Sequence, residues 1–171
     1  GDIVGLYDTG QFRFGVTLST GPDVHFDAVP RFSPEHFARL TLLDPMRRKQ
    51  LLKGMAELAE EGTVQLFYQP GREKDPICGV VGQLQFDVLV YRLSHEYGAK
   101  VALDRLGFSF ARWVEGVGST KELDAARVPL AVLDQDGRPV ALLRDEWEMG
   151  RIVRDNPSWL FHETAPLLAA D

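Results

Sequence analysis

The chain has 171 residues, 44% of them apolar and 26% charged, with a formal net charge of −6. That size suits one domain, or one domain and part of another. The acidic balance argues against a general nucleic-acid coat, no apolar run approaches the ~20 residues that span a bilayer, and a lone cysteine, Cys78, excludes an internal disulfide or a cysteine-rich metal site.

Gly1-Asp2 has neither the basic nor the apolar segment of a secretory leader. A cytoplasmic setting is therefore expected, and the abrupt start in strand-like sequence reads as a fragment. Residues 2–7 and 11–18 are predicted strands joined by a tight turn at Asp8-Thr9-Gly10. Two strands alone are marginal in water, so this piece is expected to complete a sheet or barrel. Gly21, Pro22, Pro30 and Pro34 place a linker over residues 21–34.

A strand is predicted over 37–43. Asp44-Pro45 then supplies an N-cap and a proline at the first helical position, and the helix runs to Glu61 with Gly62 closing it. Leu51, Leu52, Met55, Leu58 and Ala59 form its apolar stripe. Residues 63–69 read as a strand, the polar stretch Pro70–Pro76 as a turn, and 77–81 as the returning strand. The run Gly79–Leu93 mixes two periods, but its length favours a helix, ended by Gly98 and well buried. Gly79 and Gly82 are read as sites of close strand–helix packing. Residues 99–104 and 108–115, read as strands or one bent strand, complete β-α-β-β-α-β, a split βαβ, ferredoxin-like arrangement of the α+β class with two helices on one face. Beyond it an α/β extension is expected. Leu130–Leu133 and Val140–Leu143 flank the hairpin signal Asp136-Gly137, and Pro139 places the second of these strands at an edge. Glu146–Arg154 suits a helix and Trp159–Thr164 a last strand.

No motif in the chain reads as catalytic. Gly116-Val-Gly-Ser-Thr-Lys121 lacks the Gly-Lys-Ser/Thr order that brings a lysine to nucleotide phosphates and a hydroxyl to magnesium. Asp104-Arg-Leu-Gly107 and Asp134-Gln-Asp-Gly137 fit the short Asp-x-x-Gly pattern of GTPase switches, but the one asparagine, Asn156, precedes proline, so no Asn-Lys-x-Asp guanine reader exists. Histidines 25, 36, 95 and 162 have no metal-pair spacing. Glu60 and Glu61 are helix neighbours that do not face each other.

The first helix is unusual in its charge order. Arg47, Arg48, Lys49 and Lys53 crowd its N-terminal half, whereas Glu57, Glu60 and Glu61 lie towards its C-terminus. The helix dipole prefers the reverse, each misplaced charge costing a few tenths to ~1 kcal/mol. A basic cluster beside a positive helix end attracts phosphate. A solvated face with Lys53–Glu57 paired at i,i+4 is the competing reading.

Four segments carry a resemblance: Lys49-Gln-Leu-Leu-Lys-Gly54, Glu60-Glu-Gly62 followed by Val64-Gln65 and Phe67, Val81-Gly-Gln-Leu-Gln-Phe-Asp-Val88, and Ala111-Arg-Trp-Val-Glu115. They look like the bacterial peptide chain release factor 3 family, class II release factors among the translational GTPases. Phe161-His-x-Thr164 is a weaker anchor, and Gly1-Asp-Ile-Val-Gly5 through Gly15-Val-Thr-Leu18 resembles the closing strands of the β-barrel second domain of translational GTPases, with Val16 where aspartate usually follows the glycine. The resemblance implies that residues 1–31 end a β-barrel second domain and that 32–171 form the third, C-terminal α/β domain. It implies a role in termination, promoting GTP-dependent dissociation of class-I release factors, with the GTP-binding domain and its GTP/GDP and Mg upstream and no cofactor in this fragment. The implied partners are the ribosome (rRNA and protein, small subunit) and, indirectly, class-I release factors, with no membrane. Arg47, Arg48, Lys49 and Lys53 are the expected phosphate contacts, joined by Arg72 and Lys74 in the hairpin loop. The rival class is an interaction or interdomain scaffold module without ribosome affinity.

Overall fold

The computed structural model describes residues 2–7, 17–22, 24 and 32–166. It divides into two units, Gly1–Arg31 and Phe32–Asp171. In the first, residues 2–7 form no strand, and most of the partner predicted for them, 11–16, lies outside the described residues. The Ser19 hydroxyl organises a short turn, accepting from Gly21 N and donating to Pro22 O, both at 3.1 Å.

The second unit begins with the predicted β-α-β-β-α-β order: β1 His36–Leu42, α1 Arg48–Glu60, β2 Gln65–Phe67, β3 Ile77–Val80, α2 Leu84–His95 and β4 Val101–Leu106. The strands form one antiparallel sheet in the order β2-β3-β1-β4. Alternation along each strand decides what lies on either face. Ala38 and Leu40 of β1, Leu66 of β2, and Cys78 and Val80 of β3 pack with Leu51, Met55 and Leu58 of α1 and Phe86, Leu89 and Leu93 of α2. Phe37, Phe67 and Ile77 point the other way.

Those residues meet a second sheet. The C-terminal segment is a full four-stranded antiparallel sheet in the order β6-β7-β5-β8. It is built from β5 Phe110–Glu115, β6 Leu130–Leu133, β7 Pro139–Leu143 and β8 Leu160–His162, with α3 Thr120–Ala125 and α4 Glu146–Asp155. Ala111, Trp113, Val132, Val140 and Leu142 face Phe37, Phe67 and Ile77 across a shared core. Ala131, Ala141 and Leu143 face Leu123 and Ile152 of the helices. The layers run helices, sheet, sheet, helices. The two predicted strands at 99–104 and 108–115 thus belong to different sheets. Pro139 does not mark an edge: β7 lies between β6 and β5, and proline is tolerated because it is the strand's first residue.

Local chemistry explains the helix limits. The Asp44 carboxylate accepts from Met46 N at 3.0 Å and starts a 3-10 turn, Pro45–Arg47, before α1 proper. Gly62 and Gly98 follow the two helices with φ of 76° and 65°, the left-handed caps that glycine adopts most readily. The Gln85 side chain accepts from Val81 N and Gly82 N, both at 2.9 Å, so amides at the start of α2 are already satisfied. Gly79 is a close-packing site, but its neighbours are the Phe67 ring and Pro34, not the helix: an added Cβ would lie 2.8 Å from Phe67. A Cβ at Gly82 meets nothing within 4 Å. Nor is α2 buried all round, since Leu84, Val88 and Tyr91 form an exposed row.

Gly54 lets α1 and α2 approach; a Cβ there would sit 2.7 Å from Tyr97 Cγ and 2.9 Å from Leu93 Cδ2. At the same seam Tyr97 donates to Glu57 at 2.6 Å, and Arg92 binds both Glu61 and Glu96. Gly54→Ala is expected to lower stability in urea unfolding by about 1 kcal/mol, because overpacking of ~1–3 kcal/mol outweighs the ~1 kcal/mol gain in helix propensity. Gly82→Ala leaves stability nearly unchanged, and a more stable Gly54→Ala protein would contradict the packing. The bond to Glu57 raises the Tyr97 hydroxyl from 10.0 to about 12. A raised folded value means stability fully present below pH 10 and lost as pH climbs towards 12. Tyr97→Phe should show a smaller alkaline loss than the parent over that window in urea titrations.

Candidate nucleic-acid interface

Arg47 closes the 3-10 turn and Arg48 and Lys49 open α1, with Lys53 one turn further on. Arg72 and Lys74 lie in the loop between β2 and β3. The structure brings these two places together: Arg48 Nη1 donates to the Lys74 carbonyl at 2.8 Å. Arg47, Lys49, Lys53, Arg72 and Lys74 are all exposed, and Arg48 is half-buried. α1 has no acid in its first turn and no base in its last, so the reversed charge order is real in three dimensions.

Two of the candidates are partly spent. Lys53 Nζ lies 3.7 Å from Glu57, and Arg72 Nη2 lies 3.9 Å from Asp75. Exposed pairs at such distances contribute little and exchange readily with solvent. The loop's other acid, Glu73, is exposed and accepts from Gly71 N at 2.7 Å. Backbone N–H groups of Glu73 itself and of Gly71 hold that carboxyl below its ordinary range. Of the remaining candidates, Arg48 and Lys74 meet through the bond to the Lys74 carbonyl, and Arg47 and Lys49 are exposed beside Arg48 in sequence.

Arg39 holds this loop and was absent from the expected set. It lies on the inner face of β1, 8% exposed. Its Nη2 donates to Gln69 Oε1 at 2.7 Å and its Nη1 to the Asp75 carbonyl at 3.2 Å. Burial, and next the Arg72 charge, pull the guanidinium below its ordinary value, while Asp75 and Asp104 oppose the shift. The signal in the sequence is a single cation in the otherwise apolar run Phe37-Ala-Arg-Leu-Thr-Leu-Leu43, since buried charge needs a partner.

In two of the loops with nucleotide-like patterns the polar groups are engaged within the protein. Gly118 N already donates to Glu122 Oε1 at 3.0 Å, and the Cβ position of Gly116 lies 3.1 Å from Ser158 O. Asp134 accepts from Trp113 Nε1 at 2.8 Å, from Arg138 N at 2.8 Å and from Asp136 N at 3.0 Å, a set of bonds that ties the β6–β7 hairpin to β5. Cys78 is fully buried and its thiol is pushed up to about 12 by burial. Among the described residues, no group of three or more His, Cys, Asp and Glu is placed to hold a metal ion, and no helix is long and apolar enough to cross a membrane.

A sheet-on-sheet α+β body is the class of module that the fold defines. The profile of the family described as "Class II release factor RF3, C-terminal domain" matches residues 26–153. The chain is 51% identical over 167 residues to peptide chain release factor 3 of Symbiobacterium thermophilum, covering 96% of this chain and 31% of that protein. It is 43% identical to the proteins of the same name from Nostoc punctiforme and Synechococcus elongatus, over 99% of its length and 32% and 31% of theirs. The chain belongs to the family of C-terminal domains of class II release factors. It spans about a third of the length of these curated relatives.

If Arg39 anchors the basic loop, Arg39→Met should speed amide exchange at Arg72 and Asp75, whose N–H groups bond to Gln69 O and Arg72 O. That acceleration should exceed the global change, which is about 1.5–3 kcal/mol for bonds made by a charged group. Loop amides that change only in step with global unfolding would contradict the anchoring role.

Proposed function

We propose that this chain is the ribosome-docking module of a translation termination factor, and that it binds rather than catalyses. The observation that carries the reading is the junction of α1 with the β2–β3 loop through Arg48 and the Lys74 carbonyl. It brings a cation of α1 beside one of the loop. Family membership supports ribosomal RNA as the phosphate source, with the small subunit as the docking surface. In the longer protein, this domain is a rigid body that shifts against the preceding domains as the nucleotide changes. GTP/GDP and Mg are handled in segments outside this chain, and the whole protein promotes GTP-dependent dissociation of class-I release factors in the cytoplasm. Residues 1–31 complete the preceding barrel domain, and 32–171 are the third domain. The factor meets class-I release factors indirectly, through the ribosome.

One feature favours a second reading, an interaction or scaffold module: the exposed row Leu84, Val88 and Tyr91 on α2, with Tyr91 stacked on His95 at 4.1 Å. Pelleting with ribosomes across a salt series separates the two. Arg48→Glu combined with Lys49→Glu should reduce co-sedimentation roughly tenfold or more near physiological salt and flatten the log–log salt slope by about two. Unchanged binding of that variant at low salt removes the basic edge from consideration. Loss on Leu84→Asp alone would favour the apolar row.

A further inference from the structure

Between α1 and the β2–β3 loop lies an open cleft. Its floor is apolar: Leu51, Met55 and Leu66 come from the core, and the exposed Leu52 and Ala56 form the outer wall. Arg48 and Lys74, the same two residues whose contact joins α1 to the loop, line it together with Glu73. Tyr68 and Gln135 also line it, adding a hydroxyl and a side-chain amide.

We infer that this cleft receives the base of one unstacked nucleotide, with Arg48 and Lys74 holding the flanking phosphates. A base has apolar faces, a hydrogen-bonding edge and a neighbouring anion on each side; single-stranded RNA is read through all three. The apolar floor suits the faces, and the Tyr68 hydroxyl and Gln135 amide suit the edge. The two cations in the lining complement the anions, and Glu73, the acid among them, is engaged by Gly71 N at 2.7 Å. The planar Arg48 guanidinium, fixed by its bond to the Lys74 carbonyl, is itself a surface on which a base can stack. The inference rests on the docking reading above and sharpens it: the basic edge prefers a single-stranded or bulged RNA element over a duplex.

The test uses the full chain and a fluorescein-labelled single-stranded RNA of about twelve nucleotides, a length matched to one small-domain footprint. A duplex of the same sequence serves as control, and anisotropy is followed across a salt series. Ala56→Trp fills the cleft from an exposed position, and circular dichroism checks that the variant folds. The expected result is that Ala56→Trp weakens single-strand binding roughly tenfold with the salt slope unchanged, as loss of one stacked base does. Duplex binding stays as it was. Arg47→Glu with Lys49→Glu, outside the cleft, should weaken both RNAs and flatten the slope. Single-strand binding by Ala56→Trp equal to the parent's, or no binding of single-stranded RNA by the parent at low salt, overturns the base cleft. So does an Ala56→Trp variant that loses ribosome co-sedimentation while keeping RNA affinity, since the cleft would then take a protein side chain. A charge variant that keeps full affinity for ribosomes and both RNAs sinks the docking reading itself, a result distinct from failure of the cleft.

Discussion

The structure depends on one aromatic seam between its two sheets. Phe37 meets Phe67 at 6.1 Å between ring centroids, and Phe67 meets Trp113 at 5.9 Å, both pairs tilted. These rings come from the inner faces of both sheets, and the outer faces are already covered by helices. Separating the sheets would expose all three rings at once, and truncating even one buried aromatic typically costs about 3–5 kcal/mol. Phe67 fits only because Gly79 beneath it has no side chain. Trp113 adds a polar anchor, since its indole N–H satisfies the buried Asp134 carboxylate that also shapes the β6–β7 turn. Continuity is reinforced at the corner, where Tyr68 and Leu133 exchange two backbone hydrogen bonds of 2.8 Å.

That seam also positions the surface. Phe37 and Arg39 alternate with Ala38 and Leu40 along β1, so the strand that supplies the seam supplies the guanidinium that grips the β2–β3 loop. The loop in turn meets Arg48 at the start of α1. A cationic edge is therefore set by buried geometry and not by flexible side chains alone. Its charge order runs against the helix dipole, a penalty of a few tenths to ~1 kcal/mol per charge. An anionic partner would turn that penalty into affinity, because the same dipole then helps hold phosphate.

The ferredoxin-like half was legible because its signals are local. Asp44-Pro45 marks a helix start, and Gly62 and Gly98 mark ends. The stripe Leu51, Met55, Leu58 and Ala59 is indeed the buried face. Leu52, read as part of that stripe, instead faces the cleft beside α1, because a one-residue step turns a side chain by ~100° around the helix axis. The second sheet was legible as separate strands and a hairpin but not as a layer. What makes it one is the long-range pairing of β5 with both β7 and β8, which no local period encodes. Pro139 misled for the same reason: proline signals an edge only within a strand, and here it is the first residue. The basic residues could be named from sequence, but their meeting could not. Arg48 and Lys74 are 26 positions apart, and their contact depends on the length of the β2–β3 hairpin and on Arg39.

Both sheets form one cooperative body through the shared seam. Native-state hydrogen exchange on the full chain tests it most directly, because it reads the opening free energy of each strand separately. The account predicts that the slowest amides of β1 and β3 and those of β5 and β7 exchange with the same opening free energy and the same denaturant dependence. A sheet of β5–β8 that opens at a much lower free energy while β1–β4 stay protected would contradict it.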